Sequence, residues 1–319
     1  MLNFVYWPIS MILWFWHKVF SVPFGAGSGI AWVLAIMFLT FTIRVLLVRP
    51  TINQMRAGRK MQELQPRMKE IQQKYKGDQQ KMMEESRKLQ KEMGVNPIAG
   101  CLPILVQMPV FIGLFHVLRS FNRTTGGAGS VETPLTIEQN RQTANYFFKP
   151  EDVQSFLDAR LFGVPLSSFI SMPTEQYEAF QPVDFSKMNI IMVAAPLILI
   201  CVLATHFNAR MSLDRQKARI ASGRQKAPEN DMMVQQMAMM NKMMLWFMPA
   251  TILFTGVLWH IGLLFYMVAN NIWTFFQMKY VFNKMDKEEE EELAAKAAAK
   301  RATAPRPGVR PDNPKKKRK

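Results

Sequence analysis

One arginine, Arg44, lies near the end of an apolar stretch of twenty residues, GIAWVLAIMFLTFTIRVLLV (29–48), that contains no other charge. At the centre of a membrane-spanning helix an arginine costs about 2.5–3.5 kcal/mol on insertion scales, and such residues usually face a wet cavity or a partner. The long apolar stretches of this sequence contain no Asp or Glu. We therefore expect Arg44 to meet water, backbone or an incoming group. The alternative is that its side chain extends to the lipid headgroups.

Further polar residues occur in the apolar stretches and could form a wet surface with Arg44. They are Thr40, Gln107, Thr205, His206, Asn270, Asn271, Thr274 and Gln277. Thr40 precedes Arg44 by four residues, which is about one helical turn. A half-polar lining with a single positive charge favours a groove open to the cytoplasm over a through-pore. The alternative for each residue other than Arg44 is an ordinary interhelical hydrogen bond, worth about 0.6–2 kcal/mol.

Residues that could carry catalysis are scattered through the sequence. The four histidines (His17, His116, His206 and His260) and the two cysteines (Cys101 and Cys201) lack metal-ligand spacing. The sequence also contains no phosphate-binding loop of the Walker type, no nucleophile elbow and no HExxH motif. We therefore predict that the protein is not an enzyme, and we predict no cofactor and no metal site.

The elements that must position these residues are apolar helices. Stretches of about 20 apolar residues can cross the hydrocarbon layer as a helix, and residues 243–278 are long enough for two such helices with a turn near Trp259, His260 and Gly262. The predicted spans are 29–48, 99–119, 188–207, 243–258 and 261–282. The sequence thus predicts an all-α polytopic membrane protein, a five-span helical bundle with a cytoplasm-open hydrophilic groove.

The first residues, 1–28, form a further apolar segment. Its positive charge, Lys18, follows the apolar run instead of preceding it, which is unlike a signal peptide. Three tryptophans and an interrupting Pro8 favour an amphipathic helix lying on the outer membrane surface. A short extra span is the alternative.

The charges of the loops orient the predicted bundle. Residues 49–98 hold 12 Lys/Arg against 6 acids, 208–242 hold 7 against 3, and 283–319 hold 12 against 7. The segment 120–187 holds only 5 Lys/Arg against 8 acids. Because basic loops remain in the cytoplasm, we predict an outer N-terminus, an outer segment at 120–187 and a cytoplasmic C-terminus.

The first cytoplasmic loop, 49–98, has the pattern of a helical hairpin. Its apolar seam, broken at Gly77-Asp78, comprises Met61, Leu64, Met68, Ile71 and Tyr75, then Met82, Leu89 and Met93. Its basic residues suit lipid headgroups, a ribosome or a targeting factor. The alternative is a solvated hairpin without a specific partner.

Two other cytoplasmic segments have a biased composition. The methionine-rich loop (208–242) suits adaptable apolar binding, although helical packing explains it equally well. The tail (283–319) ends in KKKRK, and its Pro and Lys/Arg content predicts disorder at the end. In a protein with five membrane spans, such a basic end is suited to binding anionic RNA or lipid as a tether. No DNA partner is predicted.

Several strings of the sequence resemble a known family. NPIAGCLPILVQMPVFIGL (96–114) is similar to the signature of the YidC membrane-protein insertases, bacterial relatives of the mitochondrial Oxa insertases. The similarity continues through FTIRVLLVRP (41–50), MQELQPRMKEIQQKYKGD (61–78) and YMVANN (266–271), in family order over about residues 1–285.

The resemblance implies a substrate groove whose arginine corresponds to Arg44, with a greasy slide at positions similar to Thr40, Phe111 and Tyr266. The substrate-groove candidates are Arg44, Thr40, Gln107, Asn270 and Asn271. The implied activity is insertion of nascent membrane proteins into the bacterial plasma (inner) membrane, alone or with the Sec translocon. Ribosomes, signal-recognition targeting factors and anionic lipids are the implied partners.

Two other functions remain open on the residues alone. A small channel or transporter would need polar residues through the full depth of the bundle, or inverted repeats with broken helices. A ribosome-tethering membrane scaffold would depend entirely on the tail.

Overall fold

The computed structural model describes residues 3–94, 102–124, 134–225, 227 and 231–303. Three parts of the sequence therefore lie outside the described residues: the start of the family signature (96–101, with Cys101), the glycine-rich string GGAGS (126–130) and the basic end Lys315–Lys319. Up to Phe275 the chain forms one compact unit, and a second unit begins at Phe276.

The described chain is mainly helical. The helices are α1 (Asn3–Phe24), α2 (Gly29–Leu46), α3 (Val48–Lys74), α4 (Gln79–Glu92), α5 (Leu102–Arg119), α6 (Ile137–Gln142), α7 (Pro150–Asp158), α8 (Lys187–Ala221), α9 (Asp231–Lys242), α10 (Met248–Thr255) and α11 (Ile261–Thr303). A two-residue β-hairpin pairs β1 (Arg160–Leu161) with β2 (Val164–Pro165). A π-helical turn, Met243–Phe247, connects α9 to α10, and a 3₁₀ turn, Gly256–Leu258, follows α10.

Three helices in the described part of the chain are long and apolar enough to cross a membrane. Two of them are α2 (Gly29–Leu46) and α8 (Lys187–Ala221). The third, Val234–Leu258, runs continuously from α9 through the π-helical turn and α10 to the end of the 3₁₀ turn. These helices and the low strand content support a helical membrane protein. The further spans expected at 99–119 and 261–282 remain predictions.

The N-terminal helix α1 packs against α2 and α5. Its Ile9 and Leu13 are buried in the core, and a Cβ on Gly113 of α5 would lie 2.5 Å from the Ile9 side chain. His17 stacks on the buried Trp32 of α2 with ring centroids 3.6 Å apart. Helix α1 is therefore part of the packed unit, whether it lies on the membrane or enters it.

The segment between α5 and α8 is compact and contacts the helices. Lys18 of α1 forms an ion pair with the nearly buried Asp152 at 2.7 Å. Gly29, the first residue of α2, lies so close to Arg160 that a Cβ there would be 2.1 Å from the Arg160 carbonyl oxygen. Only glycine permits this approach of two backbones.

The same segment holds the turn that precedes α11. The backbone N–H groups of Ile261 and Gly262 donate to the carbonyl oxygens of Ser168 and Leu166, both at 3.0 Å. The N–H of Ser171 in turn donates to the Val257 carbonyl at 3.0 Å. These bonds satisfy groups that a helix terminus leaves without a partner, and they fix where α11 begins.

Helices α3 and α4 form a hairpin with a small apolar contact of its own. Leu64 and Leu89 are buried, and Met68 and Ile71 pack against them. Gly77 has φ +110°, a conformation that favours glycine, and the Asp78 side chain caps α4 by accepting from the Lys81 N–H at 3.0 Å. The chain thus turns at the Gly77-Asp78 pair predicted from the sequence.

The unit from Phe276 onward continues α11 to Thr303. Within it, Lys296 and Glu292 form an ion pair at 2.9 Å across one helical turn, a spacing that supports exposed helices.

Candidate functional site

Arg44 lies in the last turn of α2 and points to α11. Its Nε donates to the Asn270 Oδ1 at 3.0 Å, and its Nη2 donates to the same oxygen. Both side chains are half-buried. The guanidinium is thus held by the oxygen of an uncharged amide.

This contact corrects the expectation that Arg44 meets only water, backbone or an incoming group. Helix α11 supplies a side-chain partner, Asn270. The sequence argument considered only acidic residues as partners and therefore did not identify this amide. Because the amide has no net charge, the positive charge of Arg44 is solvated but not neutralised. A hydrogen bond that includes one ionised group is roughly twice as strong as a neutral one, which explains how a half-buried arginine is accommodated.

Thr40 lies one turn before Arg44, but its side chain is buried. It is 2% exposed, and its hydroxyl donates to the Ile36 carbonyl of its own helix at 2.9 Å. Threonine in a helix commonly satisfies its hydroxyl in this way. In this structure the Thr40 hydroxyl is therefore engaged within α2, one turn away from the Arg44–Asn270 pair.

A second polar pair joins α5 to α11. The Gln107 Nε2 donates to the Tyr266 hydroxyl, and the Tyr266 side chain is 2% exposed. The Phe111 ring lies 6.1 Å from the Tyr266 ring and 6.1 Å from the Trp259 ring, measured between centroids. Two proposed slide positions, Phe111 and Tyr266, are therefore neighbours.

Asn271 faces a different helix from its neighbour Asn270. Its Oδ1 accepts from the Thr205 hydroxyl and from the Asn208 Nδ2, each at 3.2 Å, and both donors belong to α8. Asn208 Nδ2 also lies 3.2 Å from the Asn271 backbone carbonyl. Asn271 thus belongs to a buried α8–α11 contact and not to the pair at Arg44.

Asn208 is the functional candidate that the sequence reasoning missed. It lies one residue beyond the predicted third span (188–207), in a predicted polar loop where an asparagine is expected and does not indicate a site. The available signal was its spacing of three residues from Thr205, which places both side chains on one helical face.

The other polar residues named from the sequence have separate partners. His206 Nδ1 lies 3.0 Å from the Leu245 carbonyl in the π-helical turn, and the Thr274 hydroxyl donates to the Asn270 carbonyl at 2.8 Å. Cys201 is a buried free thiol. Among the residues that the structure describes, no group of three His, Cys, Asp or Glu side chains could hold a metal ion.

Comparison with known proteins assigns the chain to a family. The family model described as "60Kd inner membrane protein" matches residues 24–289. The chain belongs to this family. The match includes every residue of the two polar pairs and of the α8–α11 contact, and it confirms the resemblance noted in the sequence.

Curated members of the YidC family cover nearly all of the chain. It is 44% identical over 310 residues to the membrane protein insertase YidC of Mycobacterium tuberculosis, covering 97% of this chain and 80% of that protein. The YidC insertase of Mycolicibacterium paratuberculosis is 45% identical over 97% of this chain and 83% of its own length. That of Corynebacterium efficiens is 30% identical over 95% of this chain and 74% of its own length. With its apolar helices, the chain is therefore a bacterial inner membrane protein of the YidC family.

Proposed function

We propose that the protein is a membrane protein insertase that receives short polar segments of nascent membrane proteins in a groove and releases their apolar spans into the lipid. The observation that carries this proposal is the half-buried Arg44, held between α2 and α11 by the neutral oxygen of Asn270. Curated YidC insertases at 44–45% identity over 97% of the chain support the same function.

The groove is formed by the faces of α2, α5 and α11 that carry the two polar pairs. Tyr266 and Asn270 are four residues apart on α11 and share one helical face. The Gln107–Tyr266 and Arg44–Asn270 bonds therefore lie along that face, one turn apart. A polar segment that enters there exchanges water for these fixed donors and acceptors, which lowers the cost of moving it into the membrane.

Arg44 is the binding group for the translocated segment. An acidic substrate residue can replace Asn270 as its acceptor, because a carboxylate–guanidinium pair gains both charge and bidentate geometry. The substrate's apolar span then leaves sideways past Phe111 and Tyr266, driven by burial in lipid at about 25 cal/mol per Å² of apolar surface. In this scheme Thr40 contributes to the slide as a buried residue of α2, because its hydroxyl is already bonded within that helix.

The proposed topology has five spans, an outer N-terminus and a cytoplasmic C-terminus. It rests on the basic loops and on the three helices that are apolar enough to span. In this orientation the α3–α4 hairpin, the methionine-rich loop and the tail face the cytoplasm. Their basic residues suit ribosomes, targeting factors and anionic lipids, and the insertase acts alone or with the Sec translocon.

The test is insertion of a single-span substrate into proteoliposomes. With an acidic translocated tail, Arg44→Ala should lower the insertion yield strongly, and Arg44→Lys should lower it less because the charge is kept but the bidentate geometry is lost. The same substrate with a neutral tail is the control. Unchanged insertion of the acidic substrate by Arg44→Ala would refute the role of this charge.

A further inference from the structure

Two consecutive asparagines of α11 contact two different helices. Successive residues on an α-helix point about 100° apart. Asn270 accordingly contacts Arg44 on α2, and Asn271 contacts Thr205 and Asn208 on α8. The rotation of α11 about its axis therefore determines both contacts at once.

The α8 side of this arrangement is the more buried and the more fully bonded. Asn208 and Asn271 are 8% and 7% exposed. Asn271 accepts from two α8 donors through Oδ1, and its own Nδ2 donates to the Met267 carbonyl at 3.0 Å. Asn208 Nδ2 also approaches the Asn271 backbone carbonyl, so the contact fixes the main chain of α11 and not only a side chain.

The Arg44–Asn270 contact constrains the rotation of α11 less than the contact with α8 does. Asn270 is only half-buried, and both bonds to Arg44 end on its single Oδ1 atom. The arginine has a long and flexible side chain that could follow a turned helix. The direction of the Asn270 amide must therefore be set elsewhere on α11.

We propose that Asn271, with Asn208 and Thr205, is a positioning group that sets the rotation of α11 so that Asn270 presents its oxygen to Arg44. The proposal rests on the proposed function, in which Arg44 receives the substrate's acidic tail. An apolar contact of the same size would hold α8 against α11 but would tolerate some rotation, because dispersion has no direction. Hydrogen bonds from two donors to one amide tolerate less.

The test is a double-mutant cycle in the full-length protein, with insertion in proteoliposomes as the readout. The measured quantity is the ratio of insertion rates for acidic-tailed and neutral-tailed forms of one substrate. Asn208→Leu should lower this ratio about three-fold or more, the factor that corresponds to about one interhelical hydrogen bond, because an Arg44 side chain without the Asn270 acceptor is no longer held ready to receive the tail. In an Asn270→Ala background, Asn208→Leu should lower it no further, because a residue that acts through Asn270 has nothing left to position.

Two comparisons separate positioning from general stability. Asn208→Gln keeps an amide donor and should restore part of the ratio, whereas a purely structural role predicts that insertion of both substrates falls equally. Effects of Asn208→Leu and Asn270→Ala that simply multiply would also overturn the proposal. If Arg44→Ala lowers the ratio but Asn208→Leu does not, positioning fails while the proposed function stands. If Arg44→Ala leaves the ratio unchanged, the role of Arg44 in the proposed function fails.

Discussion

At the scale of single residues, the identity of the partner of Arg44 decides what the arginine can do. A carboxylate partner would form an ion pair and cancel its charge. The Asn270 amide has nearly the same shape as a carboxylate but no charge, so the side chain of Arg44 is held while its net charge is kept. The site thus keeps the positive charge that we propose receives the substrate.

Asn270→Asp tests this argument with almost no change in volume. We expect the new carboxylate to pair with Arg44 and to lower insertion of an acidic-tailed substrate by about five-fold or more, since replacing a neutral acceptor by a charged one strengthens the bond by about 1 kcal/mol or more. Insertion rates in proteoliposomes give the measurement. A neutral-tailed substrate should be inserted at close to the unmodified rate, and equal loss for both substrates would count against the charge argument.

Tyr266→Phe tests the second polar pair. The substitution removes the hydroxyl that accepts from Gln107 but keeps the ring against Phe111. We therefore expect a small loss of insertion, two- to three-fold, whereas Tyr266→Ala should cause a larger loss because the ring contact also disappears. Equal loss in the two variants would place the function of Tyr266 in its hydroxyl alone.

At the scale of elements, the entry to α2 depends on one glycine. The Gly29 backbone touches the Arg160 carbonyl, whereas a Cβ on Gly27 would have no atom within 4 Å. Gly29→Ala should therefore separate the segment between α5 and α8 from α2 and lower the apparent Tm in detergent by several degrees, since a loss of 1 kcal/mol lowers the Tm by about 2–4 °C in chains of 150–250 residues. Gly27→Ala is the matched control and should change the Tm little. An unchanged Tm in Gly29→Ala would contradict the close backbone approach.

Two breaks between helices were predicted from the sequence. Gly77-Asp78 and Trp259-His260 both separate helices in the structure, because glycine, a capping aspartate and the limit on span length have local physical causes. The packing of α1 against α5 through Gly113 could not be read in the same way. It depends on which surfaces meet, and a residue's neighbours in sequence do not determine that.

The sequence named the members of the two polar pairs but not their partners. Arg44, Gln107, Tyr266 and Asn270 were all named from the sequence, and the structure brings them together as two pairs. Asn271 was named with them as a groove candidate, yet the helical rotation of 100° turns it toward α8. The partners of a polar residue in a helix depend on the rotation of that helix, and rotation is a tertiary property.

At the scale of the whole molecule, the distribution of charge separates insertion from tethering. Of the formal charge of +16, much lies in loops and in the tail that we assign to the cytoplasm. Deletion of 304–319 should weaken binding to ribosomes, with a strong dependence on salt because the contact is electrostatic. Insertion of a short substrate without ribosomes should be retained. Loss of all insertion in this variant would favour a tethering scaffold.

The bonds between the α5–α8 segment and the turn before α11 have a consequence for how the protein itself is made. Ser168 and Leu166 accept from Ile261 and Gly262, which the ribosome adds more than 90 residues later. During synthesis the residues that accept these bonds are therefore made well before the residues that donate them. The contact that fixes the start of α11 can form only after Ile261 and Gly262 have been added, so this end of α11 is fixed late in synthesis.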